Sequence, residues 1–177
     1  MIPTSITDPA PVLPDLLASG LDVVFCGTAP GHISAARRAY YAHPQNKFWR
    51  ILYEAGFTPE LLAPADYARL ITFGIGLTDI AKFDHGMDYE LARGALGAAA
   101  IDDLRARIAR YRPRILAFTS KTGGTAFLKG SRPYGVQPET LGETRIWVLP
   151  SPSPAAIRFW DAGPWRDLGR MIKKRSG

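Results

Sequence analysis

Three short apolar runs, Leu21–Cys26, Ile115–Thr119 and Arg145–Leu149, punctuate a chain whose intervening stretches carry helical spacing. Each run has the length and composition of a buried β-strand. Strands that alternate with helices require long crossovers, and long crossovers build parallel sheets. A Gly-rich segment, Phe73–Ile80, reads as a further strand or loop. The expected fold is therefore α/β: a three-layer α/β/α sandwich around a central, mainly parallel four-stranded sheet.

The helices follow from periodicity and punctuation. Asn46 to Gly56 places Phe48, Ile51, Leu52 and Ala55 on one face, with Gly56 suited to the helix end. A second short helix is expected over 60–71, a long Ala- and Arg-rich one over 88–111 before Pro113, a fourth over 121–128 and a last over 165–174. Residues 130–144 read as a turn-rich connection. Residues 1–20 hold Pro3, Pro9, Pro11 and Pro14 and read as a lead-in with room for one short helix. With 177 residues, no repeat and no linker, a single domain over 1–177 is expected.

Composition narrows the function classes. The chain has no apolar run long enough to span a bilayer, and its N-terminus lacks the charged-then-apolar pattern of a secretory signal, so a cytoplasmic protein is expected. One cysteine, Cys26, lies inside the first strand as a small core residue. It cannot close an intramolecular disulfide or supply the ligand set of an iron–sulfur cluster. Three scattered histidines make no metal site. Neither a metal nor an organic cofactor is expected. The formal charge of +6 favours a polyanionic partner.

In an open parallel sheet, the loops beyond the carboxyl ends of the strands converge on one crevice. Three such loops are chemically loaded here: 28–46, 78–85 and 150–158. The first opens with Gly27-Thr28-Ala29-Pro30-Gly31, whose main-chain N–H groups could meet an oxygen as it becomes negative. The second carries the carboxylate of Asp79. The third combines Pro150, Ser151, Pro152 and Ser153 with Ile157 and Arg158, a composition suited to a wedge or clamp.

The first loop resembles the first motif of the uracil-DNA glycosylase superfamily, in its mismatch-specific and hypoxanthine-excising branches. The matching residues are Gly27-Thr28-Ala29-Pro30-Gly31 and Tyr41-Ala42-His43-Pro44-Gln45-Asn46-Lys47-Phe48-Trp49. The double tyrosine Tyr40-Tyr41 is most similar to the hypoxanthine-excising branch. Leu149-Pro150-Ser151-Pro152-Ser153 is similar to the family's DNA-inserting loop. The resemblance covers nearly the whole domain.

It implies a base-flipping enzyme that hydrolyses the N-glycosidic bond of a deaminated base: uracil, hypoxanthine or xanthine. A monofunctional enzyme without a lyase step is expected, because no lysine except Lys47 and Lys82 falls within the pocket loops. The alternative is a weak or inactive relative that only binds damaged or single-stranded DNA. Tyr41 stands where the family places a face for the flipped base. The main chain at Thr28, Ala29, Pro30 and Gly31, with Ser34 and His43, completes the expected base-binding set. Ser151, Pro152, Ser153, Ile157 and Arg158 form the expected DNA-binding set. DNA is the expected partner of a monomer.

One departure matters. The mismatch-specific branch carries a catalytic Asn at the position of Ala29, and alanine cannot hold water. Asn46, which matches an Asn of the hypoxanthine-excising branch, and Asp79, which matches an acid found in some relatives, are the two catalytic candidates. Plainer roles compete. Asn46 can cap a helix, His43 can shape its loop, Asp79 can serve an ion pair, and Ser151 and Ser153 can cap a turn between prolines. Phe48 and Trp49 read as core. Lys121-Thr122-Gly123 matches a β-lactamase element without its Ser-x-x-Lys, and no phosphate-binding loop is present.

Overall fold

The computed structural model describes residues 9–175. Five strands form one sheet in the order β2-β1-β3-β5-β4: β1 (Val23–Gly27), β2 (Ile75–Asp79), β3 (Ile115–Phe118), β4 (Gly135–Leu141) and β5 (Thr144–Val148). The first three neighbour pairs are parallel, whereas β4 runs antiparallel to β5 at the edge. The three-layer α/β expectation holds, and the strand count rises from four to five. The added strand is β4, inside the stretch read as a turn-rich connection. Its residues are mostly exposed or half-buried, it contains Pro138, and its register slips between Val136 and Thr140. Only an edge tolerates these features.

Alternation along β1 builds the two sides of the core. Val23 and Phe25 pack with Phe48, Ile51, Leu52 and Trp165 on one face. Val24 and Cys26 pack with Leu104, Ile108, Phe118 and Phe127 on the other. The first face is covered by α2 (Phe48–Glu54) and α5 (Gly163–Arg175), the second by α3 (Ala98–Tyr111) and α4 (Lys121–Leu128). Phe48, Trp49 and Cys26 are buried, as expected for core.

Several boundaries differ from the sequence reading. A short helix, α1 (His32–Arg37), interrupts the first loop. The segment over 60–71 is a 3-10 helix at Pro64–Phe73. The long helix begins only at Ala98, because Gly94 adopts a left-handed backbone (φ 82°) and Gly97 breaks the preceding turn. Residues 91–97 are instead turns and bends.

The lead-in is more than a leader. Its residues 9–20 contain no helix, and Leu16 exchanges main-chain hydrogen bonds of 2.9 Å with Leu77 of β2. Val12 N–H donates to the carbonyl of Lys82 at 2.7 Å. This segment thus covers the free edge of β2. Residues 1–8 lie outside the described part. No helix among the described residues is long and apolar enough to cross a membrane.

Candidate active site

Parallel register aligns the carboxyl ends of the strands: Gly27 lies beside Asp79, and Cys26 beside Phe118. Beyond that edge opens a cleft of about 900 Å³. Of the expected base-binding residues, Thr28, Ala29, Gly31, Ser34, Tyr41 and His43 line it, as does Asn46. Ser151, Pro152 and Ser153 line its far wall. Pro30 is buried and does not reach the cleft. Ile157 and Arg158 sit on the exposed surface beside it. Asp79 is absent from the lining: its side chain is 3 % exposed and lies beneath Gly27.

The loop carrying Tyr41 is held from several sides. Tyr41 has a left-handed backbone (φ 51°), a conformation that a bulky side chain adopts only when its surroundings enforce it. Its ring stacks on Phe48 with centroids 3.9 Å apart and planes 21° from parallel. Its hydroxyl makes a 3.0 Å hydrogen bond with the Thr119 hydroxyl just beyond β3. Ser34 Oγ accepts the main-chain N–H of Ala42 at 3.0 Å, and the Trp49 indole N–H donates to the Tyr40 carbonyl at 3.1 Å. Through its oxygen, Ser34 therefore helps to fix the loop. His43 does likewise, its Nδ1 accepting the N–H of Gln45 at 3.0 Å.

Asn46 Oδ1 accepts the main-chain N–H of Phe48 at 2.9 Å, bracing the start of α2. Asn46 also lines the cleft, and its side-chain N–H groups have no acceptor among the described residues, so they are available as donors. The main-chain N–H groups of Ala29 and Gly31 meet no acceptor among the described residues, so they too are available as donors. Lys47 N–H donates to the Pro152 carbonyl at 2.9 Å, tying the Pro-rich loop to the same helix. Ser153 caps the 3-10 turn Pro154–Phe159, its Oγ accepting from Ala155 N–H.

Asp79 ends β2 in a nearly dry setting. Burial pushes its carboxyl up to about 7, with Lys82 pulling the other way, Asp15 adding to the rise and Arg107 opposing it. Its Oδ2 has no hydrogen-bond partner among the described residues. A carboxyl that is buried, unpaired and titrating near neutrality, next to a cleft, has the character of a reacting acid or base.

Two features escaped the sequence reading. The segment after β2 folds back over the cleft mouth. Thr28 Oγ1 donates to Asp88 Oδ1 at 2.6 Å, Gly86 N–H donates to the Pro30 carbonyl at 2.8 Å, and His32 pairs with Glu90. His32 also contacts His85 through Nδ1 atoms 3.2 Å apart. Each His32 nitrogen thus serves a different neighbour, and among the described residues no group of three or more metal-type ligands converges. The second is Lys121 at the start of α4, which lines the cleft with its ammonium 4.5 Å from the Tyr134 ring centroid. Lys82, by contrast, points into a buried ion pair, and Lys47 lies 5.9 Å from the Trp160 ring.

Fold and cleft together define an open α/β domain whose chemistry sits at the carboxyl edge of a parallel sheet. A family model described as the uracil DNA glycosylase superfamily matches residues 14–168, and the chain belongs to that superfamily. In structure the chain is similar to a Methanosarcina acetivorans protein, solved by solution NMR and provisionally described as a uracil DNA glycosylase. The TM-score is 0.62 at 21 % identity, over 91 % of this chain and 96 % of that one.

Proposed function

We propose that this chain is a DNA glycosylase that flips a deaminated base, uracil, hypoxanthine or xanthine, out of DNA and hydrolyses its N-glycosidic bond, leaving an abasic site. The observation that carries the reading is the meeting, at one end of the sheet, of an aromatic ring, unused N–H donors and a buried carboxyl. Each answers one demand of the reaction. Tyr41 offers the extruded base a flat surface. As the bond breaks, the base gains negative charge, which the N–H groups of Ala29 and Gly31 and the Asn46 amide can receive. The sugar becomes cation-like. The ionised Asp79 carboxylate, set just beneath Gly27 at the cleft floor, would stabilise that cation through space. It would accept a proton from the water that adds to the sugar carbon once the water enters beside Gly27.

Because Asn46 Oδ1 is already engaged, Asn46 fits the role of donor to the leaving base, and Asp79 fits that of base. Ser151, Pro152 and Ser153 would face the DNA strand, with Ile157, Arg158 and the strongly exposed Phe159 at the tip of the following turn. Hydrolysis without strand cleavage is proposed, by a cytoplasmic monomer.

The test uses oligonucleotides with a single uracil, hypoxanthine or xanthine, incubated with the protein and then treated with alkali to cut at abasic sites. Cuts that need alkali, and that fall at least 100-fold in Asp79→Asn and Asn46→Ala, support the reading. Cuts without alkali would replace hydrolysis with lyase chemistry, for which Lys121 is the cleft amine. Binding to every lesion with no cuts would leave only a DNA-binding relative, in keeping with Ala29.

A further inference from the structure

Behind the cleft, four charged side chains from distant parts of the chain meet in one place. Lys82 is 8 % exposed, and its ammonium lies 2.6 Å from Asp15 Oδ1. The same Asp15 oxygen accepts from the Thr78 hydroxyl at 2.7 Å, and the other lies 3.4 Å from Arg107 Nε. Arg107 Nη2 in turn donates to the main-chain carbonyl of Asp79 at 2.9 Å. Two carboxylates and two cations thus balance in sign, but not in contact. Both cations reach Asp15; the other hydrogen bonds of their charged groups go to the Tyr40 hydroxyl and the Asp79 main chain, and Asp79 Oδ2 has no partner among the described residues.

Burying an ammonium takes it out of water, and an isolated one would turn to whatever anion is nearest. Asp15 keeps Lys82 occupied. It can do so because Leu16 is bonded to β2 through Leu77, which fixes the lead-in beside Thr78 and Asp79. Lys82 Nζ also lies 3.4 Å from the Tyr40 hydroxyl, so its position is set from two sides.

We propose that Asp15 and Lys82 are positioning residues for base excision: a buried ion pair, brought in by the lead-in segment, that holds the ammonium off Asp79 and so sets the charge of the reacting carboxylate. This rests on the reading of Asp79 as that carboxylate. The groups facing Asp79 are Asp15 from the lead-in, Lys82 from the loop after β2, Arg107 from α3, Cys26 from β1, and Tyr40 and Tyr41 from the loop before α2. The two phenols and the thiol are held neutral by burial. That leaves Asp15, Lys82 and Arg107 as the charges that act.

The signs are opposite for the two partners. Asp15→Asn removes a negative neighbour and releases Lys82 toward Asp79, favouring the ionised carboxylate. Lys82→Met removes the cation and leaves Asp15 uncompensated, favouring the protonated one.

The experiment measures excision rate against pH for the wild type, Asp15→Asn, Lys82→Met and Lys82→Arg. In parallel, NMR follows the carboxyl carbon of Asp79 in each folded protein. The acid limb should move down by about one pH unit in Asp15→Asn and up by about one unit in Lys82→Met, with Lys82→Arg near the wild type. The carboxyl titration should move with it.

Equal losses of rate with no movement of either midpoint would overturn the proposal and leave the pair purely structural. A titration that moves without the rate profile would also overturn it, because the pair would then not act on the reaction. Failure of the underlying reading looks different: Asp79→Asn would excise at the wild-type rate. If a single variant fails to fold, the other two still fix the sign.

Discussion

Gly27 and Asp79 face each other at the ends of neighbouring parallel strands, and a β-carbon at position 27 would stand 2.6 Å from Asp79 Oδ1 and 3.5 Å from the Tyr41 hydroxyl. Glycine is required at this point by close approach, not by backbone angle. Its missing side chain leaves the room that the buried Asp79 carboxyl occupies beneath this cleft-lining position.

Gly27→Ala should therefore damage chemistry more than folding. The added methyl must push the Asp79 carboxyl or the Tyr41 hydroxyl aside, at about 1–3 kcal/mol of stability. Excision should fall by about 100-fold or more, as expected when a reacting group is displaced by an ångström. Thermal denaturation and single-turnover excision measured on the same preparation would check both numbers.

Tyr41 contributes through its ring more than through its hydroxyl. Tyr41→Phe loses the bond to Thr119 but keeps the stack on Phe48, and should cost about 1 kcal/mol with excision within a few fold of the wild type. Tyr41→Ala loses the stack and the surface for the base. It should cost about 3 kcal/mol and raise the KM for lesion DNA sharply. A parallel loss in both variants would contradict this division.

The Asp79 carboxyl should make the native protein more stable when replaced. Its native proton is held to about pH 7, whereas the unfolded chain releases it near the ordinary value of 3.8. Between these values the native state binds more protons, so stability falls as pH rises, and the full penalty is present above pH 7. Asp79→Asn should unfold at a higher temperature than the wild type at pH 8, by on the order of 2–4 kcal/mol, with the gap closing toward pH 4. Calorimetry across that range would show the trend or its absence.

The folded-back segment places the carboxylates of Asp88 and Glu90 beside a cleft that must admit a polyanion. Glu90→Gln should raise DNA affinity by about two- to fivefold at low salt and by less near physiological ionic strength. Lys121→Ala should weaken binding to all sequences alike and flatten the salt dependence by about one ion. Titrations of an uncleaved duplex at several salt concentrations would test both.

β1 and β3 were legible because buried strands are largely apolar runs, and β5 through the apolar Ile146–Leu149 at its end, whereas the two-way reading of β2 as strand or loop reflects its glycine and its polar Thr78 and Asp79. The edge strand β4 was not, because Pro138 and its largely exposed residues erase that signal. Residues 88–97 read as part of the long helix, yet Asp88–Glu90, tied to Thr28 and His32, makes only a single 3-10 turn, and Gly94 and Gly97 leave the residues after it in turns. Within the site, Tyr41, His43 and Asn46 could be found because one contiguous motif carries them. The partnership of Asp15 with Lys82 could not. A Pro-rich lead-in has no periodicity to place an aspartate behind a strand far along the chain, and only tertiary packing brings them together.

The loop from Ser34 to Phe48 is already fixed before any nucleotide arrives, by a left-handed tyrosine, an aromatic stack and bonds from Ser34, Trp49 and Thr119. A receptor that does not reorganise leaves the loss of conformational freedom on binding to fall on the DNA alone. Discrimination among lesions should then track how readily each base leaves its stack and pair, so that a mismatched or unpaired lesion is engaged faster than the same base in a well-matched duplex.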